Sequence, residues 1–382
     1  MIKIKLNFWQ FILALGITGA LLSSCSVNID LSGASGLSPS DSNTNPKRAH
    51  PTETPVSTPP PASGRIVFVS AQGNQKKLYL MNADGSNLLQ LTTGDSEEES
   101  PRWSPDGKLI AYASTVDHNT DIYVIDPNTN VSTRLTADPA RDAAPSWSPD
   151  SKRIAFESFK TGNLQIYIVN VDGTGLTLLT NDTVADTNPA WSPVGNIIVF
   201  MSSRNSVNAA LYLIQPDGSG LLRVTNETPP DSDPVWSPDG SMIAFRSFSS
   251  PSIANICVVN SHGSNHRCLT DSQWVNGVAR WSPDGQQLAV RSDRGGTSGI
   301  DLINVNDGSL KSLAINVHLK GDPIWSPDGA RLLFEACPVA GQSQSCANNT
   351  GMELYDIVLS TREVDQLTNT SSYNGQPDWT IH

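Results

Sequence analysis

The stretch RWSPDGKLIAYAST, residues 102–115, decides the fold of this chain because close copies of it recur along the sequence. The copies are SWSPDSKRIAFES from 146, AWSPVGNIIVFMSS from 190, VWSPDGSMIAFRS from 235, RWSPDGQQLAVRS from 280 and IWSPDGARLLFEA from 324. The repeat is marked by seven tryptophans, which we call the marker tryptophans: Trp103, Trp147, Trp191, Trp236, Trp281, Trp325 and Trp379. The first five intervals between them are 44 or 45 residues and the last is 54. A fixed period of this length is typical of a propeller or a solenoid.

Each repeat contains the same pieces. A segment ending in Trp meets a Ser-Pro-Asp-Gly turn, in which Pro fixes φ and Gly accepts a positive φ. An alternating strand such as KLIAYAS follows, then a variable loop, a strand such as DIYVID, a second turn and a strand ending in RLT. In two copies Ser151 replaces the Gly and Val194 replaces the Asp; we expect the turn to survive, with a small strain at Ser151. Four short strands per repeat suit one propeller blade, and a helical period is absent.

The two ends of the repeat region predict how the ring closes. RIVFVS at 65–70 is a strand without a marker tryptophan before it, and Trp379 has no strand after it. The C-terminal strand should therefore complete the blade begun by residues 65–92, which removes an exposed sheet edge. The expected fold is all-β: a seven-bladed β-propeller of four-stranded blades over residues 64–382. The marker tryptophans are expected as wedges between blades.

The pattern WSPDG…IAF.S…IYV…DGS…RLT resembles the TolB-type, WD40-like (PD40) propeller repeat over roughly residues 64–382. The resemblance implies the propeller fold more strongly than it implies a function. TolB pairs its propeller with an N-terminal α/β domain and is soluble in the periplasm, whereas this chain has a linker in that place. The sequence is therefore interpreted as a TolB-like protein of the cell envelope.

The N-terminal segment predicts export and a lipid anchor. Lys3 and Lys5 precede an apolar stretch over 8–22, which is shorter than the roughly 20 residues of a membrane span. The sequence Leu-Ser-Ser-Cys that ends at Cys25 resembles the bacterial lipobox, so residues 1–24 are interpreted as a lipoprotein signal peptide and Cys25 as the lipidated residue. An ordinary secretory signal is the alternative. Residues 25–63, rich in Ser, Thr and Pro, are expected to form a disordered tether.

Charge limits the partners. The chain has 25 Lys and Arg against 37 Asp and Glu, a formal net charge of −12. This balance disfavours nucleic acid and anionic lipid surfaces as direct partners. We expect a monomer that touches the membrane through its N-terminal lipid only and faces the periplasm or the cell exterior.

Besides Cys25 the chain has four cysteines, and an even number in an exported protein suggests disulfides. Aligning the repeats places Cys257 at the position of Tyr123 and Cys268 at that of Arg134, facing each other across two strands. Cys337 and Cys346 bracket the insertion in the last interval, and a disulfide there would pin that loop. The alternative for the first pair is a zinc site of Cys257, His262, His266 and Cys268.

The loops opposite the Ser-Pro-Asp-Gly turns are longer and more variable, and they converge on the mouth of the central channel. They carry the candidate binding residues Asp142, Asp186, Asp231, Asp233, Asp322, Arg141, Arg204 and Arg294, with Glu97, Glu98, Glu99 and Arg246 nearby. A ring of carboxylates suits a cation, a basic peptide or an amine. The alternative is solvated loop charge, with aspartates that bond their own turns.

Recognisable catalytic motifs are absent from the sequence: there is no G-x-S-x-G and no H-E-x-x-H. We therefore expect a non-catalytic binding platform without cofactor or metal, whose partner is a protein, a peptide or a cell-wall component at the loop face. The alternative is a carbohydrate-active enzyme with a carboxylate site in the propeller mouth.

Overall fold

The computed structural model describes residues 62–71, 75–205, 208–226, 229–250, 253–271, 275–294, 297–313, 315, 317–337, 351–370 and 372–381. Within these ranges the chain forms thirty β-strands, arranged in seven antiparallel sheets. In the same ranges there is no helix long and apolar enough to span a membrane. The described part of the chain is therefore all-β, as the repeat predicts, whereas the predicted signal peptide, Cys25 and nearly all of the tether lie outside it.

We number the sheets as blades 1 to 7 and give each from its innermost to its outermost strand. Blade 1 is β4 (Glu97–Trp103), β5 (Ile110–Val116), β6 (Asn119–Asp126) and β7 (Val131–Arg134); blade 2 is β8 (Asp142–Trp147), β9 (Arg153–Ser158), β10 (Gln165–Asn170) and β11 (Thr177–Leu178); blade 3 is β12 (Asp186–Trp191), β13 (Ile198–Ser202), β14 (Ala210–Ile214) and β15 (Leu222–Arg223). Blade 4 is β16 (Asp231–Trp236), β17 (Met242–Ser250), β18 (Ile253–Asn260) and β19 (Arg267–Cys268); blade 5 is β20 (Val275–Asn276) with β21 (Arg280–Trp281), β22 (Gln287–Arg294), β23 (Thr297–Asn304) and β24 (Leu310–Leu313). Blade 6 is β25 (His318–Leu319) with β26 (Ile324–Trp325), β27 (Arg331–Cys337), β28 (Glu353–Val358) and β29 (Val364–Gln366); blade 7 is β30 (Tyr373–Thr380), β1 (Arg65–Ala71), β2 (Lys77–Asn82) and β3 (Leu89–Gln90).

The strand that ends at or next to the marker tryptophan is innermost in every blade. Each of these strands contacts the corresponding strand of the next blade, from β4 round the ring to β30 and back to β4. The second and third strands are mostly buried between neighbouring blades, whereas outermost strands such as β7 and β15 are exposed. This gradient in burial follows from the ring, because neighbouring blades cover the faces of each blade everywhere except near its outer edge.

The C-terminal strand closes the ring. In the antiparallel register of β1 with β30, Ile66 is paired with Trp379 and Arg65 with Thr380. The indole Nε1 of Trp379 also donates to the carbonyl of Ser63 at 3.0 Å. The prediction of seven blades, completed by pairing the two ends of the repeat region, is confirmed.

The marker tryptophans are wedges between blades, as expected. The Trp147 ring packs in a cluster with Ile122 and Leu135 of the preceding blade. Its Nε1 donates to the carbonyl of Arg102 at 2.9 Å, and Trp236 makes the same bond to Ala190. In blades 2, 4, 5 and 6 the buried indole N–H therefore finds its partner on the preceding blade, which helps to fix the spacing of these blades.

The Ser-Pro-Asp-Gly turns hold themselves together. The Ser104 hydroxyl donates to Asp106 Oδ1 at 2.7 Å and accepts the backbone N–H of Leu109 at 3.0 Å. Ser151 takes the place of the turn glycine with φ of 58°, which is the strained left-handed conformation that its position predicts. Its hydroxyl accepts the N–H of Asp106 from the neighbouring blade at 3.1 Å, so the substitution also gains a contact between blades.

The innermost strands contain a bulge that the sequence does not announce. In five blades the third residue before the marker tryptophan has φ between 52° and 55°: Ser100, Ala144, Asn188, Asp233 and Gln376. The ladder to the second strand shifts register at this point, for example between Ala143 and Ser146. Because a bulge bends the strand and re-aims its side chains, it turns this part of the strand toward the channel that the innermost strands enclose.

Candidate functional site

Each position in a repeat is numbered by its offset from the marker tryptophan. The loop face is the side on which the outermost strand of one blade connects to the innermost strand of the next, and the turn face carries the Ser-Pro-Asp-Gly turns. Four acids share position −5, at the loop-face end of the innermost strands of blades 1 to 4: Glu98, Asp142, Asp186 and Asp231. None of them is more than 3 % exposed.

Burial shapes the chemistry of these acids. It raises the pKa of Asp142 to about 6, while the hydroxyls of Ser158 and Thr136 oppose the rise. Neither hydroxyl completes a hydrogen bond of normal geometry to the carboxylate. Ser158 belongs to the same blade and Thr136 to the preceding one, so Asp142 sits in a junction between blades. Burial likewise raises the pKa of Asp231 to about 6.

The prediction that the aspartates lie in loops at the channel mouth therefore needs correction for three of them. Asp142, Asp186 and Asp231 fall at the start of a strand rather than in the loop before it, and each is buried beside a threonine of the preceding blade. Asp186 differs from the other two because its Oδ2 accepts a hydrogen bond from Arg204 Nη2 at 2.8 Å. Burial still raises the pKa of Asp186, against the Ser202 hydroxyl and Arg204.

The arginines of the loop face are engaged in ion pairs. Arg141, whose side chain is 53 % exposed, lies 3.2 Å from Glu99 and 3.6 Å from Glu157. Arg204 is bound to Asp186 and lies 3.1 Å from Asp182. The side chain of Arg294 lies outside the described residues. A binding role for any of these residues stays a prediction.

Two of the predicted acids, Asp233 and Asp322, lie in the channel wall, at position −3. Along the innermost strands positions −3 and −1 are partly exposed, while position −2 between them is buried. Position −3 holds Ser100, Ala144, Asn188, Asp233, Val278, Asp322 and Gln376; position −1 holds Arg102, Ser146, Ala190, Val235, Arg280, Ile324 and Asp378. Position +10, on the second strand beside the bulge, adds Glu157, Arg246, Arg291 and Glu335. Apart from Glu157 of blade 2, the charged members lie on blades 4 to 7 and blade 1.

At position −1, Arg102, Arg280 and Asp378 influence one another's pKa values across the channel. Burial lowers the pKa of Arg102; Asp378 opposes this change and Arg280 adds to it. Arg102 belongs to blade 1 and Arg280 to blade 5, which are not neighbours in the ring, so their mutual influence places them on facing walls. Asp378 also accepts the backbone N–H of Trp103 at 2.7 Å.

A second group of charges lies nearer the loop face. Burial raises the pKa of Glu335 to about 7; the backbone N–H of Gln376 opposes this rise and Asp322 adds to it. Glu335 Oε1 accepts that N–H at 2.7 Å. Burial also raises the pKa of Asp322, against the charges of Arg280 and Arg291. On blade 4, the side chain of Arg246 donates to Asp233 from Nε at 2.9 Å.

Three glycines at position −4 make room for these acids. A Cβ on Gly277 would lie 2.0 Å from Asp322 Oδ1, and one on Gly321 would lie 2.6 Å from the Glu335 Cδ. A Cβ on Gly375 would lie 2.8 Å from Glu335 Oε2. Position −4 carries a side chain in blades 1 to 4, so this sector of the wall is built differently from the rest.

The same sector contains donors without partners. The Nε atoms of Arg280 and Arg291 are buried and make no hydrogen bond to any described residue. The positive charge of these two guanidinium groups suits a ligand with carboxylate or carbonyl oxygens, and the nearby carboxyls of Asp322 and Glu335 suit a basic group. The channel wall therefore fits a ligand that carries both oxygen acceptors and a basic group better than it fits a simple cation.

The predicted disulfide between Cys257 and Cys268 is confirmed, and it joins directly opposed residues of β18 and β19. In blades 1 and 3 the same pairs are Tyr123 with Arg134 and Tyr212 with Arg223, as the repeat alignment predicts. The bond consumes both thiols of the zinc alternative, which is therefore wrong. Across the described residues there is no cluster of three metal-ligating side chains.

Only one of the two cysteines of the second predicted disulfide lies among the described residues. Cys337 is disulfide-bonded, but its predicted partner, Cys346, lies outside the described residues. His266, which the zinc alternative included, instead packs against the ring of Phe245 at 5.4 Å.

Sequence reasoning missed Arg102, Arg280, Arg291, Glu335 and Asp378. These residues could have been found by aligning the seven repeats and comparing the residues that share one position. At position −1, for example, small and apolar residues fill blades 2, 3, 4 and 6, and charged residues fill the other three. A charge at one such position marks what is particular to that blade rather than shared by all seven.

Comparison with known proteins agrees with this architecture. The family model described as PD40, TolB beta propeller domain, matches residues 62–274 and 208–382. The Tol-Pal system protein TolB of Nitrosomonas europaea is 44 % identical over 62 residues, which is 16 % of this chain and 15 % of that protein. The match therefore spans a small part of this curated relative's length.

Two solved structures share the fold. TolB from Acinetobacter baumannii aligns over 67 % of this chain and 64 % of its own, with 23 % identity and a TM-score of 0.54. An oligogalacturonate lyase from Vibrio parahaemolyticus aligns over 80 % of this chain and 86 % of its own, with 17 % identity and a TM-score of 0.59. At these identities the likeness concerns the fold alone.

Proposed function

Because the chain belongs to the TolB beta propeller (PD40) family, we propose that it is a binding protein of the cell envelope whose channel wall holds a protein or peptide partner. The observation that carries the proposal is the charged sector of the wall, where the buried Nε atoms of Arg280 and Arg291 lack partners among the described residues. Asp322 and Glu335 stand beside them, in space left by glycines. Peptides carry carbonyl oxygens for the arginines and basic side chains for the acids.

We further propose that the protein is non-catalytic and is held to a membrane by lipid on Cys25. Replacement Cys25→Ala is expected to prevent acylation and to leave the precursor unprocessed by lipoprotein signal peptidase. Metabolic labelling with a palmitate analogue measures acylation, and the mass of the purified protein shows whether residues 1–24 have been removed. Normal acylation of the variant would contradict the anchor.

The binding proposal is tested by capture from native envelope extract on the immobilised full chain. The double variant Arg280→Gln, Arg291→Gln keeps polar side chains in the wall but removes both guanidinium groups. Lys108→Gln is the matched control, since the Lys108 side chain is 78 % exposed on the turn face, away from the channel wall. We expect a partner, identified by mass spectrometry, that the wild type and K108Q retain and the double variant loses at least tenfold. Equal capture by all three would contradict a role of the channel.

One observation favours a second candidate, a carbohydrate-active enzyme. Glu335, with a pKa of about 7, and Asp322 lie near each other in the channel wall, and unequal carboxyl groups can serve as acid and base. Incubation of the full chain with a panel of glycans tests it. Cleavage that Glu335→Gln abolishes would support the enzyme, and absence of cleavage would leave the binding protein.

A further inference from the structure

On the turn face, most marker tryptophans are covered by a side chain from the preceding blade. The residue at position +6 of one blade packs on, or in the same cluster as, the tryptophan of the next blade. The pairs are Arg65 with Trp103, Leu109 with Trp147, Arg153 with Trp191, Ile197 with Trp236 and Met242 with Trp281. The tryptophans of these five pairs are at most 8 % exposed; Trp379, to which this cover is not assigned, is also 8 % exposed.

The junction of blades 5 and 6 breaks this rule. Position +6 is Gln287 there, and Trp325 is partly exposed, unlike the other marker tryptophans. A groove of about 480 Å³ opens beside the ring, with Gln287, Asp284, Asp328 and Lys311 among its lining residues. The indole of Trp325 keeps the usual bond from Nε1 to the carbonyl of the preceding blade, here that of Arg280, at 2.9 Å. The ring is therefore held in the common position while its cover is missing.

Two other junctions show which group fits over such a ring. The Cζ atom of Arg153 lies 4.9 Å from the centre of the Trp191 ring, and that of Arg65 lies 5.0 Å from the Trp103 ring. A guanidinium stacked on an indole is attracted by the negative face of the ring. The chain thus supplies its own arginine at two junctions and leaves the equivalent place at Trp325 open.

The charges around the groove favour a cation. Asp284 is the counterpart of Asp150, which lies beside Arg153, and both use Oδ1 to accept the hydroxyl of their turn serine. Asp328 adds a second carboxylate where blade 3 has Val194. Lys311 opposes them with one positive charge, so the groove keeps a net negative charge.

We propose that this groove binds an arginine side chain presented by a partner protein, stacked on Trp325 between Asp284 and Asp328. The proposal names the chemistry of one contact with the partner and so rests on the proposed binding function. The site lies on the turn face, apart from the charged channel wall, and the two are tested separately.

The test uses the full chain labelled with ¹⁵N in its tryptophan indoles, with Trp325→Phe to assign the Trp325 signal. The probes are the blocked peptides acetyl-Gly-Arg-Gly-amide and its neutral citrulline analogue. We expect the arginine peptide to move the Trp325 signal in a saturable way, and the citrulline peptide to move it at least fivefold less at equal concentration. An equal response to both peptides, or none, overturns the proposal.

Gln287→Arg is the matched variant, because it supplies the cover that Arg153 and Arg65 give elsewhere. It should fold with an unchanged melting temperature and lose the response to the arginine peptide. A retained response overturns the stacking geometry. Arg48 is the arginine of the predicted tether, residues 25–63. A Trp325 signal that moves in Arg48→Gln without any peptide would assign the groove to the chain's own arginine and overturn the partner. Envelope capture that persists in Gln287→Arg, with no peptide response in the wild type, would overturn this inference and leave the proposed function standing.

Discussion

The carboxylate of Asp378 accepts the backbone N–H of Trp103 at 2.7 Å and thereby ties the last strand of the chain to the first complete blade. The bond lies in the channel wall, beside Arg102 and across from Arg280. Ring closure thus depends on a carboxylate in the channel wall as well as on the backbone ladder between β1 and β30. The same side chain belongs to the fold and to the candidate site.

Replacement Asp378→Ala should therefore destabilise the propeller. It removes the acceptor of the Trp103 N–H and the charge that opposes Arg102, a loss of about 2–4 kcal/mol in the free energy of unfolding. Equilibrium unfolding in urea, followed by tryptophan fluorescence, measures it. Asp378→Asn is the control, because it keeps an oxygen acceptor and should lose less. Equal stability of wild type and alanine variant would contradict the closure argument.

The buried acid Asp142 predicts a stability that falls as the pH rises. Its pKa is about 6 in the folded protein and near its ordinary value of 3.8 when unfolded. The folded state therefore holds a proton more tightly between these values, and its advantage is lost as the pH rises through them. Asp142→Asn should stabilise the protein above pH 6 by up to about 3 kcal/mol and leave it nearly unchanged at pH 4. Urea unfolding at both pH values measures the difference.

Asp172 provides a control of opposite sign for that experiment. It is exposed on the turn face, and the hydroxyl of Thr174 holds its pKa below the usual value. Its carboxylate therefore contributes stability at neutral pH that is lost on acidification. Asp172→Asn should weaken the protein slightly at pH 7 and not at pH 3. A stabilising effect of both variants at neutral pH would contradict burial as the cause at Asp142.

The sequence predicted what all blades share. The turn, the tryptophan wedge and the closure at Trp379 recur or complement one another, so their roles can be inferred by comparing copies. The facing of Cys257 and Cys268 could be predicted for the same reason, because other blades place Tyr and Arg at those two positions. Internal repetition acts as a set of independent observations of one structure.

The rest depends on interactions between blades, which the repeat does not display. The burial of Asp142 depends on Thr136 of another blade, and a position counted as loop became the start of a strand. The bulge could not be predicted because Ala144 and Gln376 adopt a left-handed φ without the glycine or asparagine that usually signals it. The cluster of Arg102, Arg280 and Asp378 forms only once the ring brings distant blades together.

The disulfide of blade 4 predicts a specific rescue. Replacing both Cys257 and Cys268 by Ala should cost about 3 kcal/mol, since the bond closes a loop with a sequence separation of 11. The pair Cys257→Tyr, Cys268→Arg restores the cross-strand contact of blades 1 and 3 and should recover part of that loss. A tyrosine there would pack beside Phe245, as Tyr212 does beside Phe200 with ring centres 6.0 Å apart. Urea unfolding of the three proteins measures this order, and a Tyr–Arg variant no more stable than the alanine variant would contradict it.

The glycine at position −4 of blade 5 predicts a coupling between two residues. A methyl group on Gly277 would lie 2.0 Å from Asp322 Oδ1, and the backbone cannot move away freely because the Gly277 N–H donates to the Arg291 carbonyl at 2.8 Å. Gly277→Ala should therefore destabilise the protein by about 2–3 kcal/mol. In an Asp322→Ala background the same change should cost at least about 1 kcal/mol less, which a double-mutant cycle in urea measures. Ala143→Gly, at the same position of blade 2, is the control and should cost no more than about 1 kcal/mol. Additive effects of the two blade 5 changes would show that the glycine is not there to make room for the carboxylate.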